Sequence, residues 1–147
     1  NAVLHTNDSS RFEARHVHLR VESKSQSFFT KNYDTNQVLS VPNAHAEGKL
    51  MMDQSQFEEL EKNNQIAFRY CDKEGQLNPG YPWNPNGVAH DIAGITNSKG
   101  NVLGMMPHPE RVFHGWQHTD WTSSGMNPDG PGHGRPLFEG VVDFLCQ

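Results

Sequence analysis

The 147-residue chain has only two cysteines, Cys71 and Cys146. Two thiols cannot build the multi-bridge framework of a small secreted scaffold, and a reducing, cytoplasmic setting is the simplest reading. Basic residues are also few. Lys and Arg total 12 against 17 acidic residues, for a net charge of −5, with no basic stripe. That excludes nucleic acid and anionic membrane as partners. No apolar run approaches the roughly 18 residues needed to span a bilayer. Nothing near the start resembles the apolar core of a signal peptide. Neither usual Gly-rich phosphate loop is present. Ser9-Ser10 lack a G-x-S-x-G elbow, which leaves a serine hydrolase unsupported. An initiating Met is missing as well: Asn1 runs straight into Val3-Leu4, which reads as processing or as a piece of something longer.

Hydrophobic residues make up 34% of the chain, with eight Phe, three Trp and three Tyr as anchors for packing. One ordinary domain with a real core is expected over residues 1–147. Ala2 to Leu4 reads as the tail of a strand, and Asn7 to Ser10 as a turn. Phe12 to Glu22 reads as a strand in which Val17, Leu19 and Val21 share the buried face. A polar loop follows over Ser23 to Ser27. Val38 to Val41 reads as a short strand that stops at Pro42. Asp53 with Gln56 has the form of a capping box, opening a short helix whose Phe57 and Leu60 share a face. Asn63-Asn64 ends it. Gln65 to Cys71 is another strand, alternating Ile66, Phe68 and Tyr70 against Ala67 and Arg69. Asp72 to Gly75 turns the chain, and Asn78 to Gly87 is an ordered loop around Tyr81 and Trp83. Ile92 to Ile95 and Val102 to Met106 flank Asn97 to Gly100 as a β-hairpin, the second run reading as a buried strand. Val112 to Gly134 is loop-like. Pro136 opens a final helix, with Leu137, Val141, Val142 and Leu145 on one face. Local pattern alone suggests α/β or α+β.

The chemistry-bearing pair is His108 and Glu110, in Met105-Met106-Pro107-His108-Pro109-Glu110-Arg111. Pro109 biases His108 toward an extended backbone. In extended chain, residues two apart point the same way, roughly 6.5 Å apart at Cα. Glu110 can then hold one ring nitrogen of His108 and leave the other free, as a carboxylate does for a general base. His45 and Glu47 form a second His-x-Glu pair just after a strand, where a polar loop is the bland alternative. His114, His118 and His133 lie in a loop too rich in Gly and Pro to align metal ligands. Cys71 precedes Asp72-Lys73-Glu74, whose acids raise a thiol pKa, and Cys146 is one residue from the end. Both read as structural.

Taken in order, Asn7 to Arg15, Ala44-His45-Ala46-Glu47-Gly48, Phe68-Arg69-Tyr70, Tyr81 to Gly87, Ile92 to Thr96 and Met105 to Arg111 resemble the glutaminase subunit, or C-terminal glutaminase domain, of phosphoribosylformylglycinamidine synthase. The resemblance runs from about Asn7 to the final helix. It implies the α/β, flavodoxin-like three-layer fold of class I glutamine amidotransferases, incomplete at its N-terminal side, with residues 1–147 the C-terminal portion of a single domain. It also implies a Cys-His-Glu triad that hydrolyses glutamine to glutamate and ammonia for the fourth step of purine biosynthesis. On this resemblance His108 is the general base and acid, Glu110 orients it, and His45 and Glu47 border the glutamine site. Ala46 stands where the family usually has Gly. The nucleophilic Cys of the family belongs to a Gly-rich turn upstream of Asn1, so the chain alone is expected to be inactive. The resemblance implies no cofactor or metal in this chain. ATP and Mg belong to a synthetase subunit that is the partner, with room for a small accessory subunit. The competing readings are a catalytically dead homologue that binds a synthetase, another class I amidotransferase, and a ligand or metal binder using the His/Trp loop.

Overall fold

The computed structural model describes residues 2–22, 25 and 27–146. Of the polar loop expected over 23–27, residues 23, 24 and 26 lie outside the described residues. The strands are β1 (Val3–His5), β2 (Glu13–Val21), β3 (Val38–His45), β4 (Lys49–Met51), β5 (Ile66–Cys71), β6 (Ile92–Thr96) and β7 (Leu103–Met105). The α-helices are α1 (Gln54–Lys62) and α2 (Arg135–Leu145). Five strands form one sheet in the order β3-β2-β5-β6-β7, and β1 with β4 forms a separate ribbon. Every pairing among these strands is antiparallel.

Strand β2 follows its alternation: Val17, Leu19 and Val21 are buried. It carries β3 on one side and β5 on the other. The central strand β5 departs from a one-faced pattern, since all six of its residues are buried. On one face Tyr33 meets Phe68 edge-on, with ring centroids 6.2 Å apart. On the other the Arg69 guanidinium lies over the Phe57 ring of α1 at 5.7 Å. Burying that cation requires counter-charge. Arg69 pairs with Glu61 at 3.1 Å and Glu22 at 3.4 Å, and donates to the His90 carbonyl. Helix α1 begins as its residues dictate, the Asp53 N–H donating to the Gln56 side chain at 3.0 Å. It ends at Asn63-Asn64, where Asn64 takes the left-handed φ of 54° that Asn tolerates better than most residues.

Three expectations are corrected. First, β3 does not stop at Pro42 but runs through it to His45. It is the edge of the sheet, and Pro42 turns its backbone away from β2, so the missing N–H costs no ladder bond. Second, Val102 to Met106 is not a buried strand. β7 is the opposite edge of the sheet; Leu103 and Met105 are half-buried, and Val102 is exposed. Third, α2 does not bury the whole of its expected face. Leu137 is buried while Val142 and Leu145 are exposed, because the helix packs through its first turns. There Phe138 tilts against Phe113, and Gly140 lies so close to the Phe28 carbonyl that a Cβ would stand 2.1 Å from it.

Candidate active site

Strand β7 and the turn after it deliver His108. Its backbone is semi-extended (φ −104°, ψ 85°), as a residue before proline should be. The chain then tightens at once into a 3-10 turn, Pro109–Val112. The His108–Glu110 pair is therefore made around the start of a helical turn, and not along an extended strand as its spacing suggests. Pro109 is compatible with that turn because the first N–H of a helix needs no partner. The His108 Nδ1 lies 2.7 Å from a Glu110 carboxylate oxygen. Arg111 stands 3.7 Å from the same oxygen. With Nδ1–H donating to Glu110, the Nε2 lone pair points away from the carboxylate, and among the described residues it has no hydrogen-bond partner. The side chain is 25% exposed, so a reactant can reach it.

The corrected course of β3 brings the second His-x-Glu segment to the first. The Pro42 carbonyl accepts the His108 N–H at 2.7 Å. His45, the last residue of β3, lays its ring parallel to His108, centroids 4.8 Å apart and planes 16° apart. Its Nε2–H donates to the Met106 carbonyl. Burial, helped by the neighbouring His108 and Arg111 and opposed by the Met106 hydrogen bond and Glu110, lowers the His45 pKa and so favours the neutral ring. Glu47 is on the exposed bend after β3.

A buried amide network holds this segment, and no local sequence pattern marks its members as functional. Asn7 donates to the His45 carbonyl at 2.6 Å and to the Arg11 carbonyl at 2.8 Å. Its own oxygen accepts the Gly48 N–H at 2.9 Å and the Asn86 amide at 2.7 Å. Asn86 in turn accepts from the Tyr70 hydroxyl at 3.0 Å. Each of these residues lies inside one of the motifs that carry the family resemblance, which is the available signal for them; only the fold brings them together. Gly48 has to be glycine: a Cβ there would lie 2.2 Å from the Asn86 amide nitrogen. Ala46 is not among the residues with positive φ, and its carbonyl accepts the Asn7 N–H at 3.0 Å, so that bond does not need glycine.

His114, His118 and His133 do not join His108. His118 and His133 meet edge to face, centroids 4.4 Å apart. Among the described residues there is no group of three or more His, Cys, Asp or Glu able to hold a metal ion. Cys71 is fully buried, and burial pushes its thiol up to about 12. Cys146 is an exposed residue after α2.

Residues 1–145 match the model of the CobB/CobQ-like glutamine amidotransferase domain. The chain belongs to this family. It is 45% identical to phosphoribosylformylglycinamidine synthase subunit PurQ of Archaeoglobus fulgidus, over 97% of this chain and 51% of that protein. The Picrophilus torridus PurQ subunit is 47% identical, over 78% of this chain and 44% of that protein. The amidotransferase fold is found again in the structure of PurLQS from Thermotoga maritima. There the TM-score is 0.68 at 25% identity, covering 99% of this chain and 53% of that one. The α/β fold of a class I glutamine amidotransferase domain is thus the fold of this chain. The chain spans about half the length of the curated relatives it matches.

Proposed function

We propose that this chain is the base-bearing portion of the glutaminase component of phosphoribosylformylglycinamidine synthase. One observation carries the reading: in a chain 45% identical to a PurQ subunit, His108 Nδ1 lies 2.7 Å from Glu110, which frees Nε2 for proton transfer. Glutamine hydrolysis needs a thiolate nucleophile, a group to move its proton, and a fixed tautomer for that group. His108 Nε2 takes the thiol proton and passes it to the departing amide nitrogen, which leaves as ammonia. Sulfur keeps the glutamyl carbonyl as a thioester. Water, deprotonated by the same nitrogen, releases glutamate and regenerates the thiol. Glu110 keeps the proton on Nδ1 and stabilises the imidazolium that forms.

The nucleophile in this proposal is a cysteine in the part of the relatives' length that this chain does not span. Cys71, buried with a raised pKa, and Cys146, at the far end of α2, do not suit the role. The 147 residues are then the C-terminal portion of one amidotransferase domain and are inactive alone. His45 and Glu47 border the glutamine site. The partners are glutamine and a cytoplasmic synthetase subunit, with a small accessory subunit in the same complex. ATP and Mg bind to the synthetase, since this chain has no phosphate loop. Among the described residues no helix is long and apolar enough to cross a membrane.

The test is glutamine hydrolysis by the assembled enzyme carrying His108→Gln or Glu110→Gln. We expect losses of about 10³-fold and about 10²-fold in kcat, with synthesis from free ammonia retained. Wild-type hydrolysis in the His108→Gln enzyme would refute the assignment. A binding-only homologue is distinguished by the wild-type assembly, which would then release no glutamate.

A further inference from the structure

We infer that His45 is a positioning residue for His108: its ring face is the wall that fixes the plane of the catalytic imidazole. The inference rests on the proposed base role of His108. Three restraints converge on that side chain. Its backbone N–H is held by the Pro42 carbonyl at 2.7 Å. Its Nδ1 is held by Glu110 at 2.7 Å. These two leave the ring some torsional freedom about Cβ–Cγ, because one hydrogen bond at Nδ1 to the exposed Glu110 carboxylate, which can follow the ring, resists that rotation only weakly. The face of His45, parallel within 16° at 4.8 Å between centroids, removes that freedom.

A wall works only if it is itself fixed, and His45 is fixed at both ends. The ring is tied by Nε2–H to the carbonyl of Met106, two residues before His108. The main chain is tied by Asn7 to the His45 carbonyl at 2.6 Å, and Asn7 is anchored on the Asn86 amide at 2.7 Å. Strand β3 adds a register constraint, pairing His45 with Glu13 of β2. The side chain is thus part of a rigid unit that includes the two ends of the catalytic turn.

The wall also has to be uncharged. A cation stacked on His108 would oppose the imidazolium that forms when His108 takes a proton. Nε2–H donates to Met106 in the neutral ring and in the cation alike; burial of the ring outweighs that bond, which acts the other way, and favours the neutral form. With Nε2 committed to a main-chain carbonyl, His45 has little to offer glutamine through that nitrogen. Its ring face serves His108.

The consequence is kinetic. Misplacing a proton-transfer group by about 1 Å costs on the order of 10²-fold in rate, with little effect on substrate affinity. The experiment compares His45→Phe, His45→Gln and His45→Ala in the assembled enzyme, following glutamine hydrolysis and, as a folding control, synthesis from free ammonia. Phe keeps a flat face but no donor, Gln keeps a donor but no face, and Ala keeps neither. We expect Ala and Gln to lower kcat for glutamine about tenfold or more, KM to stay within about twofold, and Phe to restore most of the loss. Gln retains polar bulk and the Met106 bond, so it tests the idea even where Ala unfolds the strand end. An increase in KM with kcat unchanged would mean that His45 contacts glutamine instead, and would overturn the inference. So would full activity in the Gln variant. If His108→Gln abolishes hydrolysis while the His45 variants behave as wild type, only this inference fails. If His108→Gln has no effect, the base assignment itself fails.

Discussion

Two pairs of imidazoles lie along the outer edge of β3, and they spend their ring nitrogens in different ways. In the His45–His108 pair, each ring uses one nitrogen as a donor, to Met106 and to Glu110, and the His108 Nε2 has no hydrogen-bond partner among the described residues. In the His118–His133 pair, each ring accepts a main-chain N–H. His118 Nε2 accepts from His133 at 3.1 Å, and His133 Nδ1 accepts from Ser40 at 2.9 Å. His118 is 2% exposed. The Tyr33 hydroxyl closes the arrangement by donating to the His133 carbonyl at 2.7 Å. On the proposed function the first pair holds one ring, His108, for proton transfer. The other is a latch that ties the Gly- and Trp-rich loop to the sheet edge. The same side chain does either job, and the backbone groups around it decide which.

Four changes test that contrast, beginning with the largest effect. Replacing His108 by Gln removes the proton-transfer group but no core packing. Hydrolysis in the assembled enzyme should fall about 10³-fold while the urea midpoint stays put. Replacing His118 by Leu should do the reverse. It strands the part-buried His133 N–H and costs about 1–3 kcal/mol of stability, measurable by urea unfolding, with glutamine hydrolysis in the folded enzyme unchanged. A fall in activity as large as that of His108→Gln would break the distinction.

Acid should act on the latch next. Burial, then the neighbouring His133 and His16, lowers the His118 pKa from the ordinary 6.5 to about 4. His16, His18 and His133 are also lowered, chiefly by burial, and Asp120 opposes the shift at His16, His118 and His133. The unfolded chain therefore takes up protons below pH 6.5 that the folded chain refuses until about pH 4. Stability from these groups is fully present above the ordinary value and declines as pH falls through the window between the two. His118→Gln, which keeps an acceptor but does not titrate, should flatten the dependence of the urea midpoint on pH. An equally steep dependence in that variant would place the acid sensitivity elsewhere. The smallest effect is expected at Pro42. Pro42→Ala keeps the carbonyl that holds His108 and adds an N–H at an edge, so stability should move by no more than about 0.5 kcal/mol. A larger loss would mean that the rigidity of proline, and not its carbonyl, fixes the strand.

Much of the frame was legible because it depends on near neighbours. The alternation of β2, the capping arrangement at Asp53 and Gln56, and the Asn97 hairpin are properties of short windows, and each is present. The contact between His108 and Glu110 was legible too, though its backbone route was not, because Pro109 opens a helical turn as readily as it follows an extended residue. Elsewhere the signal was ambiguous. Pro42 looks like the end of a strand because proline cannot pair in a central one; only the strand order shows that β3 is an edge. Arg69 looks like an outward residue, and only the convergence of Glu22, Glu61 and His90 makes its burial tolerable.

By itself the sequence located both α-helices and most of the strands, though not β4 or the second half of β3, and showed which residue types could move a proton, because periodicity, capping and spacing act over a few residues. The family likeness extended this to the expected fold. Tertiary structure alone decided which histidines serve which purpose. Asn7 reaches His45 and Asn86, Pro42 reaches His108, and Ser40 reaches His133 through hydrogen bonds between residues far apart in the chain. A buried donor or acceptor must find its partner wherever the fold puts one, and local sequence does not record that position.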